Sequence, residues 1–384
     1  MARANGASVV IVGGGVTGLS TGWWLARAGV DVLVLERDIV GWEASGRNGG
    51  GATHVYSPFG LEEQRLWPQM DELLGYPTEY QPYRIGVALS ETQLALARRW
   101  AEIGEMRGFR WELLDRRQLK ELVPIVGDNA MGGLYLHFGG HANPQRTVQA
   151  YAWALQDLGG RIRQHTPVTG FRLAGGRVTA VETAGGPVSA DTVVLAAGPQ
   201  TDRLASRLGV SVPLAPARVE MIATEPIPLM HVGGVAGNGL YGRQTLRGNL
   251  VYGGGPHEWI NVPDMATPEH RNTALVRNLA RRLAELFPGA AHVRIIRSWA
   301  GIVENTPDGL PIIDRLREPS NVVLATMSSV GFGLSPASGK AISELVLHGH
   351  CQFCDLSALR LSRFAETPPD WRARHGWLPS GVSP

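Results

Sequence analysis

The 384-residue chain is poor in cysteine and lysine and has no long apolar run. Its two cysteines, Cys351 and Cys354, form one C-x-x-C late in the chain. Two cysteines make no disulfide framework and are too few for an iron–sulfur cluster. A metal site would need two further ligands, and a redox C-x-x-C usually opens a helix in a βαβ unit. His348 and His350 lie close by. A metal cluster therefore stands as the alternative to two unpaired cytosolic thiols, and the expectation is no metal. Lysine occurs only at Lys120 and Lys340. The remaining basic residues are dispersed arginines, and the net charge is +2, so no footprint for nucleic acid is visible. No segment reaches the ~18 consecutive apolar residues of a membrane span. Met1 to Ala7 carry no apolar h-region, so a secretory signal is not expected and the cytoplasm is the expected location. No internal repeat or low-complexity tract breaks the chain.

What is present is concentrated between Ser8 and Arg37, SVVIVGGGVTGLSTGWWLARAGVDVLVLER. A β-branched run, Val9 to Val12, meets glycines at Gly13, Gly15 and Gly18. A helical stretch follows, then a second β run, Val32 to Leu35, that ends in Glu36. Strand, G-x-G-x-x-G turn, helix, strand and acid stand in the order a dinucleotide site needs. Gly13 permits the tight turn, Gly15 lets backbone approach a pyrophosphate, and Gly18 lets the helix pack on the strand. The helix N-terminus offers free N–H groups and a partial positive charge to phosphates. Glu36 can accept from ribose hydroxyls, which favours an adenosine without a 2′-phosphate.

GWEASGRNGGGATHVYSP follows, with four glycines between Gly46 and Gly51. It reads either as a surface loop or as backbone laid against a flat ligand. Helices are expected at 62–74, 91–107 and 269–286. Strands are expected at 84–89, 162–165, 168–173, 177–183 and 192–196. Asn143 is the expected N-cap of a helix that has Pro144 at its first position. From Pro216 to Gly255 the pattern alternates, punctuated by Pro and Gly, as in antiparallel strands. The last third reads as a strand, NVVLAT, a glycine loop at Gly331 to Gly333, and a helix from near Pro336. The nucleotide domain is expected to be discontinuous, at 1–79, 143–212 and 293–384. A β-rich domain is inserted at 80–142 and 213–292.

These motifs, with ASGRNGG, GGHANPQRTVQAYA, DTVVLAAGPQTDRLA, AGIVENTPDGLPIID and GFGLSPASGKAISELV, resemble the D-amino-acid oxidase, sarcosine oxidase and glycine oxidase superfamily. The resemblance covers nearly the whole chain. It implies an α/β fold, a Rossmann-like FAD-binding domain with an inserted, mostly antiparallel substrate domain. It implies FAD contacts from Gly13, Gly15, Val16, Thr17 and Gly18, from Glu36 and Arg37, and from Ser45, Gly46, Arg47, Asn48, Gly49 and Gly50. Further contacts are implied at Val168, Ala197, Gly198 and Gly301, and at Gly331, Phe332, Gly333, Leu334 and Ser335. The expected reaction is oxidation of a C–N bond by hydride transfer to flavin, followed by imine hydrolysis. The flavin carries the reactivity, so no catalytic acid–base pair is obligatory.

Substrate contacts are expected from the β-rich domain. Tyr241 and Arg243 alternate onto one face of GLYGRQT. The resemblance places Tyr241 where glycine oxidases hold the substrate carboxylate. Arg243 reads either as a bidentate carboxylate clamp or as an exposed strand arginine. His54, Tyr252, His257 and Trp299 are weaker candidates, and Glu304 could face a cationic tail. The chain also departs from its relatives. The two arginines with which glycine oxidases grip substrate fall at Val303 and Ser329. The cysteine through which monomeric sarcosine oxidases hold flavin has no counterpart, which implies non-covalent FAD. Their oxygen-activating lysine falls in the strand 249–253, here Val251 and Tyr252, which favours a dehydrogenase.

The closest motif likeness is to subunits of amine dehydrogenases such as D-hydroxyproline dehydrogenase, opine oxidase and the sarcosine oxidase β subunit. Partner subunits carrying iron–sulfur clusters or a second flavin would then accept electrons. The expected substrate is a small amino acid: a D-amino acid, or a secondary amine such as D-hydroxyproline, proline or sarcosine. A self-sufficient oxidase releasing hydrogen peroxide, and an electron-relay subunit with no turnover of its own, are the alternatives.

Overall fold

The computed structural model describes residues 5–52, 57–255, 257–260 and 273–371. His54 lies outside them. The chain opens with β1 (Gly6–Val12), α1 (Val16–Arg27) and β2 (Val32–Leu35). One helical turn, α2 (Ala44–Arg47), and a short strand, β3 (Gly51–Ala52), lead to α3 (Gly60–Leu66) and α4 (Met70–Leu74). Next come β4 (Gln81–Ala88), α5 (Glu91–Met106), β5 (Trp111–Leu114), α6 (Arg116–Leu122) and β6 (Gly132–His141). α7 (Pro144–Asp157), β7 (Arg161–Arg163), β8 (Val168–Ala174), β9 (Arg177–Thr183), β10 (Gly186–Leu195) and α8 (Thr201–Ser206) return to the first layer. β11 (Ala215–Pro226), β12 (Val235–Ala236), β13 (Leu240–Gln244), β14 (Asn249–Gly254), β15 (Glu258–Trp259) and α9 (Thr273–Leu286) follow. The chain closes with β16 (Ile295–Asn305), β17 (Ile312–Arg315), β18 (Val322–Thr326) and α10 (Gly331–His348).

Three sheets result. The nucleotide sheet runs β17-β18-β10-β1-β2-β7, with β9 paired to β10 and β8 to β9. β1 is parallel to both β10 and β2, and β10 is parallel to β18. Its central strands β1, β2 and β18 are apolar on both faces, because helices α1, α7 and α10 pack on one face and residues of β8, β9 and α8 on the other. α1 and α10 lie against each other at close range: a Cβ on Gly339 would stand 2.0 Å from Ser20 Oγ. The second sheet is β12-β4-β6-β3 with β5 on β6, and the third is β13-β14-β11-β15 with β16 along β11. Ile85 and Val87 of β4 share a core with Ile222, Leu250 and Tyr252 of the third sheet.

Several elements differ from their expected form. The helix expected at 62–74 is two helices, with a 3-10 turn at Trp67–Gln69 where Pro68 lacks an N–H to donate. β16 pairs with β11 from Asn305 to Ile295, so the third sheet extends past residue 292, and β3 joins the second sheet from before residue 80. α10 starts at Gly331, not near Pro336, and the proline lies inside the helix. Pro336 has no N–H to give to Phe332 O, and the neighbouring backbone groups gain side-chain partners from other elements. Ala337 N donates to Glu63 Oε1 at 2.9 Å, and Trp67 Nε1 donates to Gly333 O at 2.8 Å. Asn143 does cap α7, accepting from Gln145 N and Arg146 N.

Candidate functional site

Two adjoining cavities mark the site. The first, about 470 Å³, opens at the C-terminal ends of β1 and β2. The second, about 520 Å³, lies between the nucleotide layer and the two antiparallel sheets. Ala44, Asn48, Val303, Ser329 and Phe332 line both, so the two form one trough.

The first cavity is built for a dinucleotide. Gly13 sits at φ +113°, and a Cβ there would lie 2.3 Å from Ala196 O. A Cβ on Gly18 would lie 2.1 Å from Gly13 O, so this glycine lets α1 close on the turn. Gly15 differs: a Cβ would meet only Ser45 Oγ, at 3.1 Å, and its open side faces the cavity. Gly15 is also the N-cap of α1, and a glycine supplies no capping side chain. This is the cradle a pyrophosphate fills. Val16 N donates to Ser45 Oγ at 2.9 Å. Glu36 accepts from Gly14 N at 2.6 Å and Asp38 N at 2.8 Å, which fixes its carboxylate at the end of β2 with lone pairs left for ribose hydroxyls.

Of the sequence-derived cofactor residues, Gly13, Gly15, Val16, Thr17, Glu36, Arg37, Ser45, Asn48, Val168, Ala197, Gly198, Gly331 and Phe332 line this first cavity. Arg47, Gly49, Gly50, Gly301 and Gly333 line the second. Gly18, Gly46, Leu334 and Ser335 line neither. The ASGRNGG stretch is more ordered than a loop of glycines suggests. Asn48 Nδ2 donates to Ala44 O and Ser45 O, and its Oδ1 accepts from Gly50 N at 2.7 Å. Arg47 donates to Trp42 O and Ala300 O and stacks on Trp42, tying α2 to β16. Trp299 Nε1 donates to Arg47 O.

The joint between the cavities is the N-terminus of α10. Gly331 lines the first, Gly333 the second and Phe332 both. Just before it, Ser328 and Ser329 are held at φ +47° and +65°, a left-handed region uncommon for residues other than glycine. Two carboxyls, buried Glu304 and half-buried Glu43, face the first cavity. Glu43 accepts from Ile302 N and Glu304 Oε1 from Met327 N at 3.0 Å, and burial raises the pKa of both. Glu304 thus stands beside Gly198 on the nucleotide side, not in the second cavity.

The expected substrate residues separate. Tyr241 lines the second cavity, packed against Gly49, and burial raises the pKa of its phenol. His257 also lines it, and burial together with Arg282 brings its pKa down to about 4. Tyr252 is turned away: its hydroxyl donates to Val235 O at 2.8 Å and its ring packs edge-on to Phe287. Arg243 is buried behind the glycine stretch, where Nη1 donates to Gly49 O at 2.8 Å. Burial pulls its pKa down to about 10 while Glu79 opposes the shift. It does not line the second cavity. Arg84 does, and sequence reasoning missed it. The signal was the alternation of Arg84, Gly86 and Ala88 along β4, all three of which line the cavity. The apolar wall from α5, Leu96, Ala97 and Trp100, was missed too. Among the described residues no three His, Cys, Asp or Glu side chains are placed to hold a metal, and no helix is long and apolar enough to cross a membrane.

The model of the DAO family, FAD dependent oxidoreductase, matches residues 8–345. The chain is 30% identical over 375 residues to the beta subunit of sarcosine oxidase from Rhizobium meliloti, covering 93% of this chain and 88% of that protein. It is 30% identical over 352 residues to a subunit of opine oxidase from the same organism, covering 84% and 89%. The L-proline dehydrogenase structure from P. horikoshii superposes with a TM-score of 0.87 over 95% of this chain and 99% of that one, at 22% identity, which shows a shared fold. A cradle fitted to a dinucleotide and a family model that spans most of the chain give one conclusion: the protein belongs to the DAO family, as an FAD-dependent oxidoreductase acting on amino acids or amines.

Proposed function

We propose that the chain is a dehydrogenase that oxidises the C–N bond of a small amino acid. The candidates are a D-amino acid or a secondary amine such as D-hydroxyproline, proline or sarcosine. The observation that carries this reading is the second cavity, continuous with the nucleotide cavity and walled by apolar side chains together with Arg47, Arg84, Tyr241 and His257. FAD, bound non-covalently along the trough, supplies the hydride acceptor. The lining glycines and Glu36 hold its adenosine and pyrophosphate portion. The α10 N-terminus favours negative charge at the joint of the cavities. Apolar residues of α5 and β6 keep water from the reacting carbon. His257, held neutral at pH 7, suits an amine that reacts in its neutral form.

Residues 1–79, 143–212 and 293–384 form the FAD-binding part in this reading, with β16 shared with the substrate part. Similarity to proteins named as subunits supports electron transfer to a partner subunit that carries an iron–sulfur cluster or second flavin. The low cysteine content supports a cytoplasmic location. The test is an anaerobic panel of amino acids and amines watched at the flavin absorption band. Bleaching by a small amino acid is the expected result. A flavin that no amine bleaches would replace this reading with that of an electron-relay subunit.

A further inference from the structure

We propose that Arg84 is the residue that grips the substrate carboxylate, and that Arg243 serves only to hold the glycine stretch. The proposal rests on the amino-acid reading above and names the specificity residue of that same cavity. β4 turns Arg84, Gly86 and Ala88 toward the cavity. Two glycines leave room for the guanidinium. A Cβ on Gly51 would stand 3.6 Å from Arg84 Nη1, and one on Gly86 would meet only Leu134 O, at 4.0 Å.

The guanidinium, with five N–H donors, has no hydrogen-bond or ion-pair partner among the described residues. No acid lies close enough to offset its burial, which lowers its pKa, and only the Tyr252 phenol opposes that shift. His141 supplies no counter-charge: burial, Arg243 and Arg84 together hold its pKa down to about 3. The other arginines are committed. Arg243 has Gly49 O and the charge of Glu79. Arg47 has Trp42 O, Ala300 O and the Trp42 ring. An unmatched cation on the wall of a cavity whose lining holds no carboxylate among the described residues calls for an organic anion, and a planar guanidinium matches a carboxylate through two parallel hydrogen bonds. The Tyr241 hydroxyl, also without a hydrogen-bond partner among the described residues, is a second donor in the same cavity.

The test is calorimetric titration of the FAD-loaded protein with cyclopentanecarboxylate and with its uncharged carboxamide. Arg84→Met should weaken the carboxylate by about 30-fold or more, as expected when one partner of a buried charge pair is removed. The carboxamide affinity and the FAD content should not change. Arg84→Lys should recover part of the loss, which a merely misfolded Arg84→Met could not explain. Arg243→Met should lower FAD retention and spare carboxylate affinity in the molecules that keep FAD. Equal affinity of the native protein for acid and amide, or a carboxylate loss in Arg243→Met that Arg84→Met does not show, would overturn the proposal. The titration needs no turnover. Carboxylate binding that depends on Arg84, in a protein whose flavin no amine bleaches, would sink the dehydrogenase reading and leave Arg84 standing. Unchanged bleaching by amino acids in Arg84→Met would do the reverse.

Discussion

Gly15 and Gly13 look alike in sequence, and their surroundings give them different consequences. At Gly13 both the positive φ and Ala196 O oppose any side chain, so Gly13→Val should lose FAD through a distorted turn. At Gly15 the backbone is ordinary and only Ser45 Oγ is near. Gly15→Val should therefore fold, with a normal far-ultraviolet spectrum, yet purify colourless because the new methyls fill the phosphate cradle. A yellow Gly15→Val protein with full FAD content would count against the cradle. His141 carries a pH prediction of its own. Its folded pKa is about 3 against 6.5 for a free imidazole. The unfolded chain takes up the proton first, so this contribution to stability is complete above 6.5 and is lost as pH falls toward 3. Between pH 7 and pH 5 the loss attributable to His141 is about 2 kcal/mol. His141→Gln should remove that part of the slope in denaturant unfolding. An unchanged slope would mean that the imidazole is not buried as a neutral group.

At the scale of elements, α10 shows how a site is tuned by a helix that breaks its own ladder. Pro336 denies the helix the bond to Phe332 O, and Glu63 and Trp67 supply side-chain bonds at the neighbouring Ala337 N and Gly333 O. Trp67→Phe keeps the packing and removes the buried indole bond to Gly333 O, at a cost of about 1–3 kcal/mol. Because Gly333 lines the second cavity, the same variant should also weaken carboxylate binding; thermal unfolding and the cyclopentanecarboxylate titration read the two effects. This arrangement was not legible in the sequence. Proline and two glycines suggested a loop before the helix, and tertiary partners 266 and 274 residues away support the helical start. The fingerprint from β1 to Glu36 was legible because its signal is local: strand, turn, helix and acid within 30 residues. Asn143 and Pro144 were legible as a cap for the same reason. Arg243 and Arg84 could not be ranked from sequence. Strand alternation tells which face a side chain takes, but not that Gly49 O waits behind one face and an open cavity before the other.

The whole molecule decides where the electrons go. Oxygen reacts fast with reduced flavin when a cation stands ready to stabilise developing superoxide. No lysine lies on β14; its Val251 is buried, and Tyr252 is spent on Val235 O and the core between the sheets. Neither His257 nor Arg243 stands in for such a lysine. His257 has a pKa of about 4 and is uncharged at neutral pH. Arg243 sits behind the glycine stretch on Gly49 O. Arg47 is held by two carbonyls and a tryptophan ring. Arg84 remains, and a bound amino acid or its imino-acid product would neutralise it. The reduced protein should therefore pass electrons slowly to oxygen and rapidly to an artificial dye or a partner subunit. Stopped-flow mixing of photoreduced enzyme with air-saturated buffer measures this. Adding cyclopentanecarboxylate should slow reoxidation further, because it masks the one arginine of the second cavity that has no partner among the described residues, and in Arg84→Met that additional slowing should vanish. Reoxidation by oxygen that keeps pace with substrate turnover would make the protein a self-sufficient oxidase.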